Sequence, residues 1–394
     1  MTRPVVLTLS AYYLPGYKAG GPIRTIQNLV SSLGDEFDFR IFTSDRDLGQ
    51  PRPYDGVSIN EWNDHVGATV FYADANARRP SRLAATIHDV APDIVYINSF
   101  FNPRFSISPL FMRWLGFTSR RIAWIVAPRG EFSRNALMIK ALKKRAYISS
   151  ARMFGLLDDV FWQASSPFER DDIIREFGAS PDSICIAPNL SVPVAASCPP
   201  APSRGASNRL SVCFLARVCV MKNLAFAIEA LADCSIGVDL HIYGPVEDEA
   251  YAETCRRLVP GDASRLSVTW HGEVPHDQVR LILARHDIFF LPTLGENFGH
   301  VIFEALAAGV PVLLSDRTPW RDLDAAGVGW VRPLGDHQPF VQAIQDYASL
   351  DADARAAMRC RAHAYAAQIA ASEDARDANR RMFTSALDRA SRRS

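Results

Sequence analysis

Two glutamates separated by seven residues, Glu296 and Glu304, lie in the stretch Leu291-Pro-Thr-Leu-Gly-Glu296-Asn-Phe-Gly-His-Val-Ile-Phe-Glu304-Ala-Leu-Ala-Ala-Gly-Val-Pro311. A strand over Ile288–Leu291 ends there, a short loop carries Glu296, and a helix over 300–308 opens after Gly299; Gly309 stops that helix and Pro311 forbids its continuation. Glu296 is thus expected at a strand's carboxyl end and Glu304 one turn into the helix, whose N-terminus offers backbone N–H groups to an anion. Alone, either carboxylate reads as solvated surface; the pair, with the glycine between and the small residues after, reads as a ligand site. Arg217 and Lys222 lie five residues apart between a strand and a helix, in Cys213-Phe-Leu-Ala-Arg217-Val-Cys-Val-Met-Lys222-Asn223. Gly16-Tyr-Lys-Ala-Gly20-Gly21-Pro22 follows the first strand, but it is neither G-x-G-x-x-G nor a P-loop. Val126-Ala-Pro-Arg129-Gly-Glu-Phe132 also follows a strand.

The glutamate segment resembles the E-x7-E signature of the retaining GT-B glycosyltransferases, group 1, also called family 4. The resemblance implies that Glu296 contacts hydroxyls of a donor sugar, that Glu304 holds the ribose, and that the backbone of Asn297, Phe298 and Gly299 holds phosphate oxygens. The Arg217/Lys222 segment is similar to the family's G-R-x-x-x-x-K-N, whose two cations bind the donor diphosphate; this chain has Ala216 where the family usually has Gly. A leaving nucleoside diphosphate gains negative charge as the glycosidic bond breaks, and a fixed pair of cations can replace a metal ion. By the same resemblance the backbone at Gly20 and Gly21 approaches the donor phosphate and the acceptor, with Pro22 at the first helical position. The Arg129 segment resembles an S-P-R-G element of part of the family, which points Arg129 into a ligand cleft as a further catalytic-site residue. Weaker echoes occur at Gln163–Ser166, Ala187–Asn189, His241–Pro245 and Ser315–Trp320.

These residues need a scaffold of strands and helices in alternation. Strands are predicted near residues 5–9, 37–43, 93–97, 122–126, 160–164 and 183–187, with helices over 23–32, 106–115 and 167–177 among those between them. Buried, non-alternating strands joined through helices indicate a parallel sheet covered on both faces. Residues 191–208 (SVPVAASCPPAPSRGASN) have no apolar period and read as a linker. Beyond it the alternation restarts: strands over 210–215, 239–243, 266–270, 288–291 and 311–314, with helices over 224–232, 248–258, 277–285 and 300–308 between them. From residue 351 the pattern is helical. The expected fold is α/β, two Rossmann-like domains facing a cleft: 1–190 on the acceptor side, 209–365 holding the nucleotide sugar, and a C-terminal helix over 366–394 packing back on the first domain.

The 394 residues carry 43 basic and 43 acidic side chains, and 48% are apolar. Such a chain is neither disordered nor generally nucleic-acid-binding. Seven cysteines without a C-x-x-C pair speak for a reduced cytosol, and the short apolar run Val5–Leu9 reads as a strand instead of a signal peptide. Asp45-Arg-Asp47 matches the D-x-D metal signature of the unrelated GT-A enzymes, but the tandem α/β pattern argues against it, and no metal is expected. Between Ile94 and Leu157, eleven Lys and Arg face a single acid, Glu131. Within it residues 134–154 read as one helix with Leu137, Met138, Ala141, Leu142, Ala146 and Ile148 on one side and Lys140, Lys143 and Lys144 on the other, a candidate contact with an anionic membrane. The expected activity is a metal-independent, retaining transfer of a hexose from a nucleotide sugar to a glycan or lipid-linked glycan in surface-polysaccharide synthesis, on the cytoplasmic side. The alternatives are a nucleotide-sugar epimerase of the same fold and a non-catalytic nucleotide- or glycan-binding protein. Nucleic acid is not an expected partner.

Overall fold

The computed structural model describes residues 3–138, 140–199 and 209–392. It divides into two compact units, Met1–Leu190 with Ser372–Ser394, and Ser191–Ala371. The first is built on eight strands: β1 (Val5–Leu9), β2 (Asp38–Ser44), β3 (Trp62–His65), β4 (Ala68–Ala73), β5 (Ile94–Ile97), β6 (Ala123–Val126), β7 (Phe161–Ala164) and β8 (Ile184–Ile186). Their order is β3-β4-β2-β1-β5-β6-β7-β8, parallel throughout except for the antiparallel β3–β4 hairpin. Each of the four residues of β5 is fully buried, Ile94 and Tyr96 on one face and Val95 and Ile97 on the other. That double burial is why the strand reads as an unbroken apolar run.

One face of this sheet is covered by the helices Gly21–Leu33 and Glu373–Ser391. The other is covered by Pro80–Val90, Ser108–Trp114, Ala141–Met153 and Pro167–Phe177. The chain therefore comes back at Ser372 to finish the first unit, while the helix Ala352–Ala370 stays in the second. On the returning helix Phe383 packs its ring against Phe37, Phe39 and Tyr96, and Arg380 and Arg376 hold Glu36 by hydrogen bonds of 2.5 to 3.2 Å. These arginines hold the Glu36 carboxyl below its ordinary pKa.

The second unit has six parallel strands, β9 (Leu210–Leu215), β10 (Val238–Tyr243), β11 (Leu266–Gly272), β12 (Ile288–Leu291), β13 (Val312–Ser315) and β14 (Gly329–Arg332). They are ordered β11-β10-β9-β12-β13-β14. Of the 191–208 stretch expected to be a linker, residues 200–208 lie outside the described residues. The part before them is anchored in the second unit, since the Ala195 carbonyl accepts from His363 Nε2 at 2.8 Å.

Three expectations are corrected. The sequence pattern does not show the β3–β4 hairpin, β14, or the helix Gln338–Ser349. β3 (WNDH) and β14 (GWVR) are four-residue edge strands too short for a period to register. The single basic helix over 134–154 is two helices, Arg134–Met138 and Ala141–Met153; Ile139 lies outside the described residues, and the backbone at Lys140 is left-handed, φ 56°. Nor does the expected apolar side face inward as a whole: Leu137 and Ile148 are buried, whereas Met138, Leu142 and Ala146 are exposed. Lys144, expected on the polar side, instead turns in to donate to the Ala136 carbonyl and lies over the Phe101 ring.

Within the second unit, His286 is buried between Ser211 and Tyr243, its Nδ1 2.8 Å from Ser211 Oγ and its Nε2 3.3 Å from Tyr243 Oη. His241 and His271 stack nearby, and burial, reinforced by these two rings, pushes the His286 pKa down from 6.5 to about 3. The unfolded chain therefore binds a proton that the folded one refuses. Stability is full above pH 6.5 and falls, by up to about 1.4 kcal/mol per pH unit, as the pH drops from 6.5 toward 3. Urea unfolding as a function of pH should show this acid limb flattened in His286→Asn; an unchanged slope would remove His286 as its source.

Candidate active site

In a parallel sheet, two neighbouring strands whose connections run in opposite directions leave a crevice at their carboxyl ends, where ligands settle. In the second unit that reversal falls between β9 and β12. The loop after β9 carries Arg217 and Lys222, and the loop after β12 carries Glu296 to Gly299. The structure brings Lys222 and Glu296 together across the reversal, with Nζ 2.5 Å from Oε2 and side chains only 14% and 16% exposed. Arg217 instead pairs with Glu247 beyond β10.

Backbone and hydroxyl contacts hold the two loops. The Met221 carbonyl accepts from Leu294 N at 2.9 Å and from Thr293 Oγ1 at 3.0 Å, and Ser315 Oγ donates to the Thr293 carbonyl at 2.5 Å. Glu296 N donates to the Arg317 carbonyl at 3.0 Å, and Trp320 Nε1 to the Phe298 carbonyl at 2.6 Å. Asn297, Phe298 and Gly299 thus form a braced bend leading into the helix His300–Ala307, which has no side-chain cap and no acid in its first turn. Gly299 sits at φ 80°, and a Cβ there would come within 2.6 Å of Ile302 Cδ1 and 3.0 Å of Glu296 Cγ. Gly244 allows an equally close approach, since a Cβ would overlap the Ala216 carbonyl beside Arg217. Glu304 lies one turn into the helix, its Oε1 3.6 Å from His276 Nε2.

In the first unit the order reverses between β1 and β5. Gly20 (φ 68°) and Gly21 stand at the start of the helix Gly21–Leu33, with Pro22 in its first turn and no side-chain cap. Asp47 steadies the loop before them by accepting from Tyr17 N at 2.8 Å and Lys18 N at 3.1 Å, and it also accepts from Leu48 N. Asp45 faces Arg46 and, at 3.8 Å, Arg78. Both carboxylates of the D-x-D sequence are therefore engaged by donors of the protein.

Arg129 departs from its expected place. At φ 57° its side chain turns into a polar network and donates to Asn98 Oδ1 at 2.6 Å, Asn189 Oδ1 at 2.7 Å, Gln163 Oε1 at 3.2 Å and Tyr96 Oη. Four of its five N–H donors are thus directed at the ends of β5, β7 and β8, which it ties together. Next to it, Gly130 N donates to Glu169, and Glu131 accepts from Phe100 N, Phe101 N and Ser99 Oγ. Burial pushes the Glu131 carboxyl above its ordinary pKa, against the downward pull of these donors. Sequence reasoning missed His276, Thr293, Met221 and Glu247. The first two carry no motif, the Met221 contribution is a carbonyl that any residue supplies, and Glu247 is visible only as the partner of Arg217.

The Lys222–Glu296 pair generates a direct test. In a double-mutant cycle with Lys222→Met and Glu296→Gln, unfolding free energies should reveal a coupling of about 1 kcal/mol or more, because removing either partner leaves the other charge half-buried and unpaired. A coupling near zero would mean that the pair does not hold the loops.

The family described as glycosyl transferases group 1 matches residues 202–365, and the glycosyl transferase 4-like domain matches residues 20–189. A phosphatidyl-myo-inositol mannosyltransferase of Mycobacterium leprae is 29% identical over 126 residues, which is 32% of this chain and 32% of the length of that relative. Among solved structures, the Anabaena protein Alr3699/HepE, crystallised with UDP and glucose, superposes with a TM-score of 0.68 at 16% identity, over 97% of this chain and 99% of that one. A sucrose-phosphate synthase from Thermosynechococcus elongatus superposes with a TM-score of 0.71 at 16% identity, over 98% and 100%. At such identities the likeness establishes the fold, which is of GT-B type.

Proposed function

Because the chain belongs to the group 1 glycosyltransferases, we propose that it moves a hexosyl group from a nucleotide sugar to a hydroxyl of a glycan or lipid-linked glycan acceptor. We place that reaction in surface-polysaccharide synthesis, with retention of configuration and without a metal ion. The observation that carries the reading is the Lys222–Glu296 pair across the strand-order reversal, beside a helix N-terminus that no side chain caps. A diphosphate laid there meets the ammonium of Lys222 and the N–H groups of the Phe298–Gly299 bend, while Glu296 has an oxygen left for a sugar hydroxyl. The resemblance of its segment assigns Glu304, on the same helix, to the ribose. A nucleotide-sugar donor is also supported by the UDP and glucose held by the Anabaena neighbour.

In the proposed reaction the bond from the anomeric carbon to the phosphate oxygen breaks, and its electron pair leaves with the diphosphate. The acceptor oxygen bonds to the same face of that carbon, and its proton passes to the departing phosphate. Lys222 and Arg217 stabilise the charge that develops; for Arg217 this requires turning from Glu247, an exposed partner that holds it weakly. Retention rests on the resemblance of the glutamate segment to the retaining family. Metal independence is supported by the two cations and by the engagement of Asp45 and Asp47 with Arg46, Arg78 and backbone donors.

With a nucleotide-sugar panel and a glycan acceptor, the expected products are a nucleoside diphosphate and a new glycoside, formed equally well in EDTA. Lys222→Ala and Glu296→Ala should each lower turnover by about a hundredfold or more while the protein stays folded by circular dichroism. Near-normal turnover in both variants would sink the assignment, a free altered nucleotide sugar would indicate an epimerase, and strict metal dependence would return attention to Asp45 and Asp47.

A further inference from the structure

Three stretches of the second unit meet at one glycine. Gly309, just past the helix His300–Ala307, has φ 69°, and a Cβ there would stand 3.3 Å from the Arg359 carbonyl and 3.4 Å from Cys198 Sγ. With no side chain between them, the segment 191–199 and the helix Ala352–Ala370 approach each other over this position. They touch at two points with the same spacing. The Ala195 carbonyl accepts from His363 Nε2 at 2.8 Å; three residues further along the segment, the Cys198 thiol lies within hydrogen-bonding reach of the thiol of Cys360, three residues back along the helix. His363 is itself fixed, buried with its Nδ1 2.8 Å from the Ala307 carbonyl. The course of the segment past Cys360 is therefore set by the fold.

This pair differs from the other thiols of the chain. Cys213, Cys234 and Cys255 are buried, whereas Cys360 is exposed, the one exposed cysteine of the seven, with Cys198 half-buried beside it. Burial pushes the Cys198 thiol up to about 11, and the neighbouring Cys360 adds to the rise. The part due to Cys360 vanishes once the Cys360 sulfur is bonded and no longer ionises. Arg359 acts in the opposite direction on Cys198, and its guanidinium interacts with both sulfurs. It is buried, with its Nη atoms donating to the His286 and Ala284 carbonyls and its Nε finding no acceptor among the described residues. A cation beside a thiol favours the thiolate, which is the form that attacks a disulfide. An exposed thiol next to a second, more sheltered one is the arrangement in which a first oxidation product is resolved into a disulfide.

We propose that Cys198 and Cys360 are a redox-sensitive modification site, which a small disulfide oxidant such as oxidised glutathione converts into a reversible intramolecular disulfide. The Cys360 thiolate attacks one sulfur of the oxidant, forming a mixed disulfide and expelling one thiolate, which takes up the proton lost by Cys360. The Cys198 thiolate then attacks Cys360 Sγ, the protein disulfide forms, and the second thiolate leaves with the proton of Cys198. Two protein thiols are oxidised by two electrons, and one oxidant disulfide is reduced to two thiols. The bond closes a loop from residue 198 to residue 360 that holds all of β9 to β14, so it takes freedom from the unfolded second unit. A reduced cytosol is compatible with such a bond, because disulfides there are transient and follow the redox state. The proposal uses no part of the transfer reaction.

The test is mass spectrometry, without reductant, of the full chain first reduced and then held in oxidised glutathione. The expected product is a monomer lighter by two hydrogen atoms, with one crosslinked peptide pair joining Cys198 to Cys360, and dithiothreitol should restore the starting mass. Its melting temperature should rise by about 5 °C or more over that of the reduced chain. Cys198→Ser should instead stop with glutathione on Cys360, and Cys360→Ser should form no disulfide at Cys198. Neither variant should gain the rise in melting temperature, while both keep the wild-type circular dichroism. The proposal is overturned if the wild type also stops with glutathione on Cys360, or if Cys360 pairs with a different cysteine or with a second chain. It is equally overturned if oxidation lowers the melting temperature, since the fold would then be distorted to reach the bond.

Discussion

Parallel strands send all their outgoing loops to one end of the sheet, and where the strand order reverses the two adjacent loops must part. In the second unit that parting lies between β9 and β12, and the chain sets opposite charges on its two sides, Lys222 and Glu296. An ion pair so sheltered is weak as a source of net stability, because desolvating both charges offsets much of their attraction. Its value is geometric. It fixes two loops from different strands relative to one another, and the carbonyl of Met221 and the hydroxyls of Thr293 and Ser315 fasten the same loops with uncharged bonds. The proposed chemistry of this unit, cation, carboxylate and open helix end, inherits its spacing from that one reversal.

The first unit solves the same problem with buried carboxylates. Glu131, Glu169 and Asp47 each take two or more backbone or hydroxyl donors from loops at the carboxyl ends of the strands. Loop N–H groups have no ladder to join, and a carboxyl group, with two oxygens, can accept from several of them at once. Arg129 plays the complementary part for Asn98, Asn189, Gln163 and Tyr96. The loops of this unit are therefore held by internal polar ties, and Gly20 and Gly21 are left with backbone alone to offer.

Much of this was legible in the sequence because it depends on composition over several residues. The runs at Leu210–Leu215 and Ile288–Leu291 are strands with those bounds, the helix Leu224–Ala232 begins and ends where its pattern does, and Glu296 stands on its loop between β12 and a helix. What was hidden depends on partners far along the chain. Nothing local announces that Lys222 meets Glu296 rather than Arg217's neighbourhood, or that Arg129 turns inward to Asn189. The basic segment misled for a related reason: a helical wheel assumes an unbroken helix, and the left-handed turn at Lys140 resets the phase, so Leu142 faces out and Lys144 faces in.

The return of the last helix to the first unit has a consequence for how the protein is made. Phe37, Phe39 and Tyr96 are covered by Phe383, which is synthesised some 290 residues after the latest of them. Domains ordinarily fold in the order in which they leave the ribosome. Here the earlier half of the chain must wait, with the part of an apolar sheet face that the helix Gly21–Leu33 does not cover left open, until the later half has been translated as far as the returning helix. A stalled ribosome or a message truncated before Ser372 would yield a chain whose second unit is whole and whose first is not, the reverse of what truncation from that end usually leaves.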